Sequence, residues 1–103
     1  MDAAPGYRAV LMDGELSGLA LLLASDTVLG RGVTNDIVLP DRSVATRHAR
    51  IRLDRGPTVE SLDPDHETWV DDRIAPAGAP VPIRSGCVLR LGDVRIRIEE
   101  VQR

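Results

Sequence analysis

The chain has 103 residues, 28% of them charged, and a formal net charge of −3. That length fits one domain rather than two, and the composition is globular rather than disordered. All 13 basic residues are Arg, Lys and Phe are absent, and there is one Trp and one Tyr; a nucleic-acid binder would carry a net basic balance and stacking aromatics, so nucleic acid is not an expected partner.

Tyr7 to Met12 reads as a first strand closed by Asp13-Gly14. Leu19 to Ala24 is the longest apolar run, with six residues. It is far short of the ~20 that a membrane-spanning helix needs, and is expected to be a largely buried strand. No signal segment is expected at the N-terminus, because Asp2 and Glu15 stand where its basic and apolar parts would be. Val28-Leu29 runs into Gly30-Arg31-Gly32, and Asp36 to Leu39 is a short apolar piece before Pro40-Asp41. His48 to Leu53 alternates, with Ala49, Ile51 and Leu53 on one face and His48, Arg50 and Arg52 on the other. That period of two predicts a half-buried strand. Thr58 to Leu62 and Thr68 to Val70 follow, and Ala75 to Pro82, with three prolines, reads as a loop or a sheet edge. Cys87 to Leu91 and Val94 to Ile98 flank Gly92-Asp93 as a hairpin.

No segment keeps a helical period, and 9 Gly and 7 Pro interrupt the chain throughout. Short strands at regular spacing predict an all-β, antiparallel sandwich or barrel with a core of Leu, Val, Ile and Ala. The single Cys87 excludes an intramolecular disulfide and fits a reducing compartment.

The segment Gly30 to Ile51, GRGVTNDIVLPDRSVATRHARI, carries the most specific pattern. With Thr68, Val70 and the Gly92-Asp93 hairpin, it resembles the forkhead-associated (FHA) domain over residues 7–99, and the whole chain 1–103 then reads as a single FHA-like domain. The resemblance implies an antiparallel β-sandwich of ten or so short strands that binds phosphothreonine peptides. It places Arg31 at the phosphate, able to hold it bidentately, and makes Gly30 before it a structural motif residue. It gives His48 a structural role under the Gly30-Arg31 loop, and matches Thr68 to a motif threonine.

The departures from the family pattern fall on the binding positions. The serine three residues before the histidine, which donates to the phosphate in phosphopeptide-binding members, is Ala45 here; Thr46 and Arg47 complete that turn. In the second binding loop the aligned residues are Asp65, His66 and Glu67, with His66 in place of the asparagine that holds the peptide backbone. The expectation is a module that docks proteins without needing phosphothreonine.

The run Val44-Ala45-Thr46-Arg47-His48-Ala49 is similar to the FHA-like cytoplasmic domain of type III secretion inner-membrane ring proteins. That branch implies a cytoplasmic location, a transmembrane helix elsewhere in a longer parent chain, and as partners neighbouring copies in a ring or other secretion components. A phosphothreonine-reading signalling domain, including the type VI secretion kind, is the alternative. Arg50, Arg52, Arg95 and Arg97 are a candidate interaction surface, and Trp69 is either half-buried packing or a partner anchor. No cofactor, metal or enzymatic activity is expected. His48 and His66 lack zinc-ligand spacing, and Asp63, Asp65, Glu67, Asp71 and Asp72 lack EF-hand spacing. Cys87 lies in an apolar run.

Overall fold

The computed structural model describes residues 6–101; Asp2, on which the signal-segment expectation partly rests, lies outside them. Eleven strands follow one another: β1 (Gly6–Leu11), β2 (Ala20–Leu22), β3 (Asp26–Gly30), β4 (Ile37–Val38), β5 (Ala49–Arg52), β6 (Thr58–Ser61), β7 (Thr68–Val70), β8 (Arg73–Ala75), β9 (Val81–Pro82), β10 (Val88–Leu91) and β11 (Val94–Val101). They form two sheets, one of six strands in the order β2-β1-β11-β10-β7-β8 and one of five in the order β4-β3-β5-β6-β9. Every pairing is antiparallel except β3 with β4. Among the described residues no helix is long and apolar enough to cross a membrane.

Strand alternation builds the core directly. Ala9, Leu11, Leu89, Leu91, Ile96 and Ile98 point inward from the first sheet, and Leu29, Ala49, Ile51 and Val59 from the second, all at 1% exposure or less. Without Phe, branched aliphatics fill the ~10 Å between the sheets. Each fully buried one contributes about 1.5–3 kcal/mol.

Three expectations need correction. The Leu19 to Ala24 run is not a buried strand. Its strand is only the three residues of β2, it pairs only with β1 at the sheet edge, and Leu22 is 69% exposed, while Leu23 alone of the run is buried. An apolar run reads the same at an edge as in a core, because burial is decided by having a neighbour on both sides. His48 does not share the outer face of Arg50 and Arg52. It precedes β5 and is fully buried, because its ring turns inward to bond the backbone of two loops. The four arginines do not form one surface. Arg50 and Arg52 stand on β5 in the five-stranded sheet, Arg95 and Arg97 on β11 in the six-stranded sheet. In a sandwich the outer faces of the two sheets point in opposite directions.

Ala75 to Pro82 holds the end of β8 and the two-residue edge strand β9, with Pro82 on the edge where a missing N–H is tolerated. β8 itself was not foreseen; it is made by a tight turn in which Asp71 takes a positive φ of 53°, a conformation Asp accepts more readily than most residues.

Candidate functional site

The loops that follow β3, β4 and β6 meet around one imidazole. His48 Nδ1 accepts a hydrogen bond from the Ala45 amide at 3.0 Å, and Nε2 therefore carries the proton it donates to the Glu67 carbonyl at 2.9 Å. The ring thus ties the β4–β5 loop to the β6–β7 loop. Burial pushes its pKa below the ordinary 6.5, only partly opposed by the Glu67 carbonyl, so His48 is neutral at pH 7.

Above this tie the Gly-Arg loop is sewn down by its backbone. The Arg31 amide donates to the Ala45 carbonyl at 2.9 Å and the Gly32 amide to the Thr46 carbonyl at 3.1 Å. Asn35 sits under the loop, 8% exposed, and its amide nitrogen donates to both Gly32 and Thr46 carbonyls. Gly30 is required by proximity: a Cβ there would run into the Thr46 carbonyl oxygen. The Asn-Asp-Ile pattern announced a strand here, but only the folded loop shows Asn35 as its brace.

A second brace holds the β10–β11 hairpin against the β4–β5 loop. The Asp41 carboxylate accepts from the Ser43 amide and hydroxyl at 2.9 and 2.6 Å, and these donors hold its pKa below the usual carboxylate value. The Ser43 hydroxyl oxygen in turn accepts from the Asp93 amide at 2.7 Å. Gly92, with φ +60°, packs so closely that a Cβ would strike the Ser43 carbonyl. Neither Ser43 nor Gly92 was foreseen as a loop brace; the contact joins residues about fifty positions apart.

The predicted site residues fall into two sets on either side of His48. On one side, Arg31 is exposed; its Nε donates to the Val44 carbonyl at 3.1 Å, and neither terminal nitrogen has a hydrogen-bond partner among the described residues. Thr46 and Arg47 are exposed beside it, while Ala45 is buried at 2%. On the other side, Asp65, His66 and Glu67 line an open groove of about 280 Å³ with Ser43, Trp69, Arg90, Gly92 and Asp93. Arg31, Thr46 and Arg47 do not line that groove. His66 stands edge-on to His48, ring centroids 5.9 Å apart, with Nδ1 3.3 Å from the Asp63 carboxylate. Thr68 is fully buried. Among the described residues no group of three or more His, Cys, Asp or Glu side chains is placed to hold a metal ion.

The chemistry at Ala45 decides what the first set can hold. It has no hydroxyl, its amide is spent on His48 and its carbonyl on Arg31. It offers a phosphate no donor.

A sandwich whose interstrand loops are braced together at one end, with one loop presenting an exposed arginine, is a scaffold for docking peptides and proteins. Residues 27–92 match the FHA domain family, and the chain belongs to that family. It is 34% identical over 92 residues to the FHA domain-containing protein FhaB of Mycobacterium tuberculosis, a match that covers 86% of this chain and 57% of that protein. The chain therefore spans little more than half the length of the curated relative. Its fold is similar to the solution structure of the FHA domain of an Arabidopsis thaliana protein, with a TM-score of 0.89 and 25% identity over 100% of this chain and 95% of the other. The cytoplasmic domain of the type III secretion sorting platform protein PscD from P. aeruginosa superposes with a TM-score of 0.78 over 94% of this chain and 82% of that one, at 22% identity, a likeness of fold alone. As an FHA domain the chain is a protein-interaction module.

Proposed function

We propose that this domain docks protein partners without reading phosphothreonine. The observation that carries the reading is Ala45, which stands where phosphopeptide-binding members carry the donor serine and has no side-chain donor and both backbone groups already bonded. A hydrogen bond to a charged group is worth about 1.5–3 kcal/mol, roughly ten- to a hundredfold in affinity. The second loop adds carboxylates where the family pattern has neutral residues, and each would repel a phosphate a few ångströms away by about 1–4 kcal/mol at partly exposed dielectrics. Arg31 alone does not offset both.

Within that reading, the Ala45-bearing turn supports a place in the cytoplasmic part of a secretion-ring protein, with neighbouring copies and other secretion components as partners. Nothing in the loop braces is peculiar to that branch, so the parent assembly rests on the turn alone.

The test compares the native domain with a triple variant, Ala45→Ser, His66→Asn and Glu67→Gly, on a library of phosphothreonine peptides and their unphosphorylated twins. The expected result is phosphate-dependent binding by the variant and none by the native domain. Phosphate-dependent binding by the native domain overturns the proposal.

A further inference from the structure

The outer face of the six-stranded sheet meets the loop groove only at Trp69 and Arg90, and its register groups four side chains in a row. Arg95 is opposite Arg90, Arg90 opposite Trp69, and Trp69 opposite Ile74. The residues that alternate with them, Ile96, Leu89, Leu91 and Thr68, are buried, so the row faces outward. It crosses β11, β10, β7 and β8 and is about 14 Å long at ~4.8 Å per strand. The rows beside it place Arg97 opposite Val88 and Val10, and Arg8 opposite Glu99 and Leu22.

Two arginines directly opposite each other destabilise a sheet. Here each is occupied differently. Arg95 forms a two-pronged pair with Asp13, through Nε at 2.9 Å and a terminal nitrogen at 3.0 Å. Arg90 lies over the Trp69 ring, 5.1 Å from its centroid, and makes no ion pair among the described residues. Arg8 and Arg97 share the single carboxylate of Glu99. At the loop end of the face Asp65, Glu67 and Asp93 stand beside Arg90; away from it the three guanidiniums of Arg8, Arg95 and Arg97 face the two carboxylates of Asp13 and Glu99, an excess of one positive charge on a chain whose net charge is −3. Ile74, 47% exposed, closes the row with an apolar contact. Arginine and tryptophan are the side chains that most often carry binding energy at protein interfaces.

We infer that this face docks an acidic, unphosphorylated protein segment laid across the strands in extended form. The charge excess selects carboxylates, and the length of the row matches the segment. Side chains on one face of an extended chain recur every ~6.6–6.8 Å, so about three fit along the row. A carboxylate meets the Arg95 end of the row, and the side chains two and four positions on cover Trp69 and Ile74. Asp65, Glu67 and Asp93 line the groove next to Arg90; their repulsion keeps the acidic end of the segment toward Arg95 and Arg97. This site deepens the phosphate-independent docking reading and rests on it for the claim that no phosphate is needed.

The test is a heteronuclear NMR titration of the full chain with an unphosphorylated peptide of about twelve residues in which a Glu is followed by Leu two and four positions on, with Ser between, so that the three side chains share one face and span the row. Its controls are the same peptide with Lys for Glu, and a phosphothreonine peptide. The expected result is shifts at the Trp69 indole and at the amides of β7, β10 and β11 with the Glu peptide alone, weakening as salt rises from about 50 to 300 mM. Arg90→Glu is expected to weaken binding about tenfold or more with an unchanged melting curve, and Arg31→Ala to leave it intact. Arg97→Glu serves the same purpose if Arg90→Glu does not fold. No shift at millimolar peptide, equal shifts with the Lys peptide, shifts confined to residues 31–47, or concentration-dependent self-association through the same amides each overturns the inference. The phosphothreonine control reports separately: its binding at Arg31 contradicts the phosphate-independent reading, whatever the Glu peptide does.

Discussion

His48 holds two loops by its neutral tautomer, so its protonation loosens them. In the unfolded chain the imidazole titrates near 6.5; in the fold, burial holds its pKa lower. As pH falls through 6.5 the unfolded chain takes up a proton that the folded one refuses, and stability drops until the folded value is passed. Above that range this group contributes no slope. The urea midpoint is therefore expected to fall between about pH 7.5 and pH 5.5, and the fall to shrink in His48→Gln. An unchanged fall in that variant would show that another group is responsible. The carboxylates of Asp13, Asp26, Asp41, Asp63 and Glu99 have pKa values lowered from 3.8 or 4.5 by their arginine, histidine, serine or amide partners, so their contributions are lost only at more acid pH. Gly30→Ala tests the loop brace independently. The added methyl meets the Thr46 carbonyl, and calorimetry is expected to show a loss of about 1–3 kcal/mol; a neutral Gly30→Ala would show that the loop can move aside. Gly30, Arg31 and His48 were legible in the sequence because they form a local pattern with fixed spacing. Asn35 and Ser43 were not, because each acts on a carbonyl or amide that only the fold brings near.

Strand identity was largely legible and strand environment was not. Alternation in Ala49 to Arg52 and in Val94 to Ile98 marks which side chains face in, because the period of a strand is fixed at two. It carries no information on which sheet a strand joins, and so Arg50 and Arg95 could be grouped although they stand on opposite faces. The same ignorance of neighbours made the Leu19 to Ala24 run look buried. The fold makes a direct contrast: Leu22→Lys on the exposed edge of β2 is expected to change stability by no more than about 0.5 kcal/mol, whereas Ile51→Ala, in the middle of the core, is expected to cost about 2–5 kcal/mol. Chemical denaturation of the two variants measures both. A Leu22→Lys domain as unstable as Ile51→Ala would mean that β2 is covered by something in solution.

At the scale of the whole molecule, charge separates into regions that the net value of −3 hides. Arg31, Arg42 and Arg47 are exposed around the first two loops, the acids of residues 63–67 occupy the third, and the outer face of the six-stranded sheet keeps unpaired guanidinium at Arg90. The sequence showed the acidic loop because its three acids, Asp63, Asp65 and Glu67, fall within five residues. It could not show the arginine face, whose members come from β1, β10 and β11. The donorless Ala45 and the acids of the third loop make the loop end a poor site for a doubly negative phosphate, and the sheet faces leave the domain other surfaces with which to dock proteins. The most direct measurement is calorimetric titration of the native domain with a phosphothreonine peptide mixture, in parallel with Arg31→Ala. The expected result is no binding tighter than about millimolar in either protein. Binding at about micromolar strength by the native domain, abolished in Arg31→Ala, would contradict a phosphate-independent site.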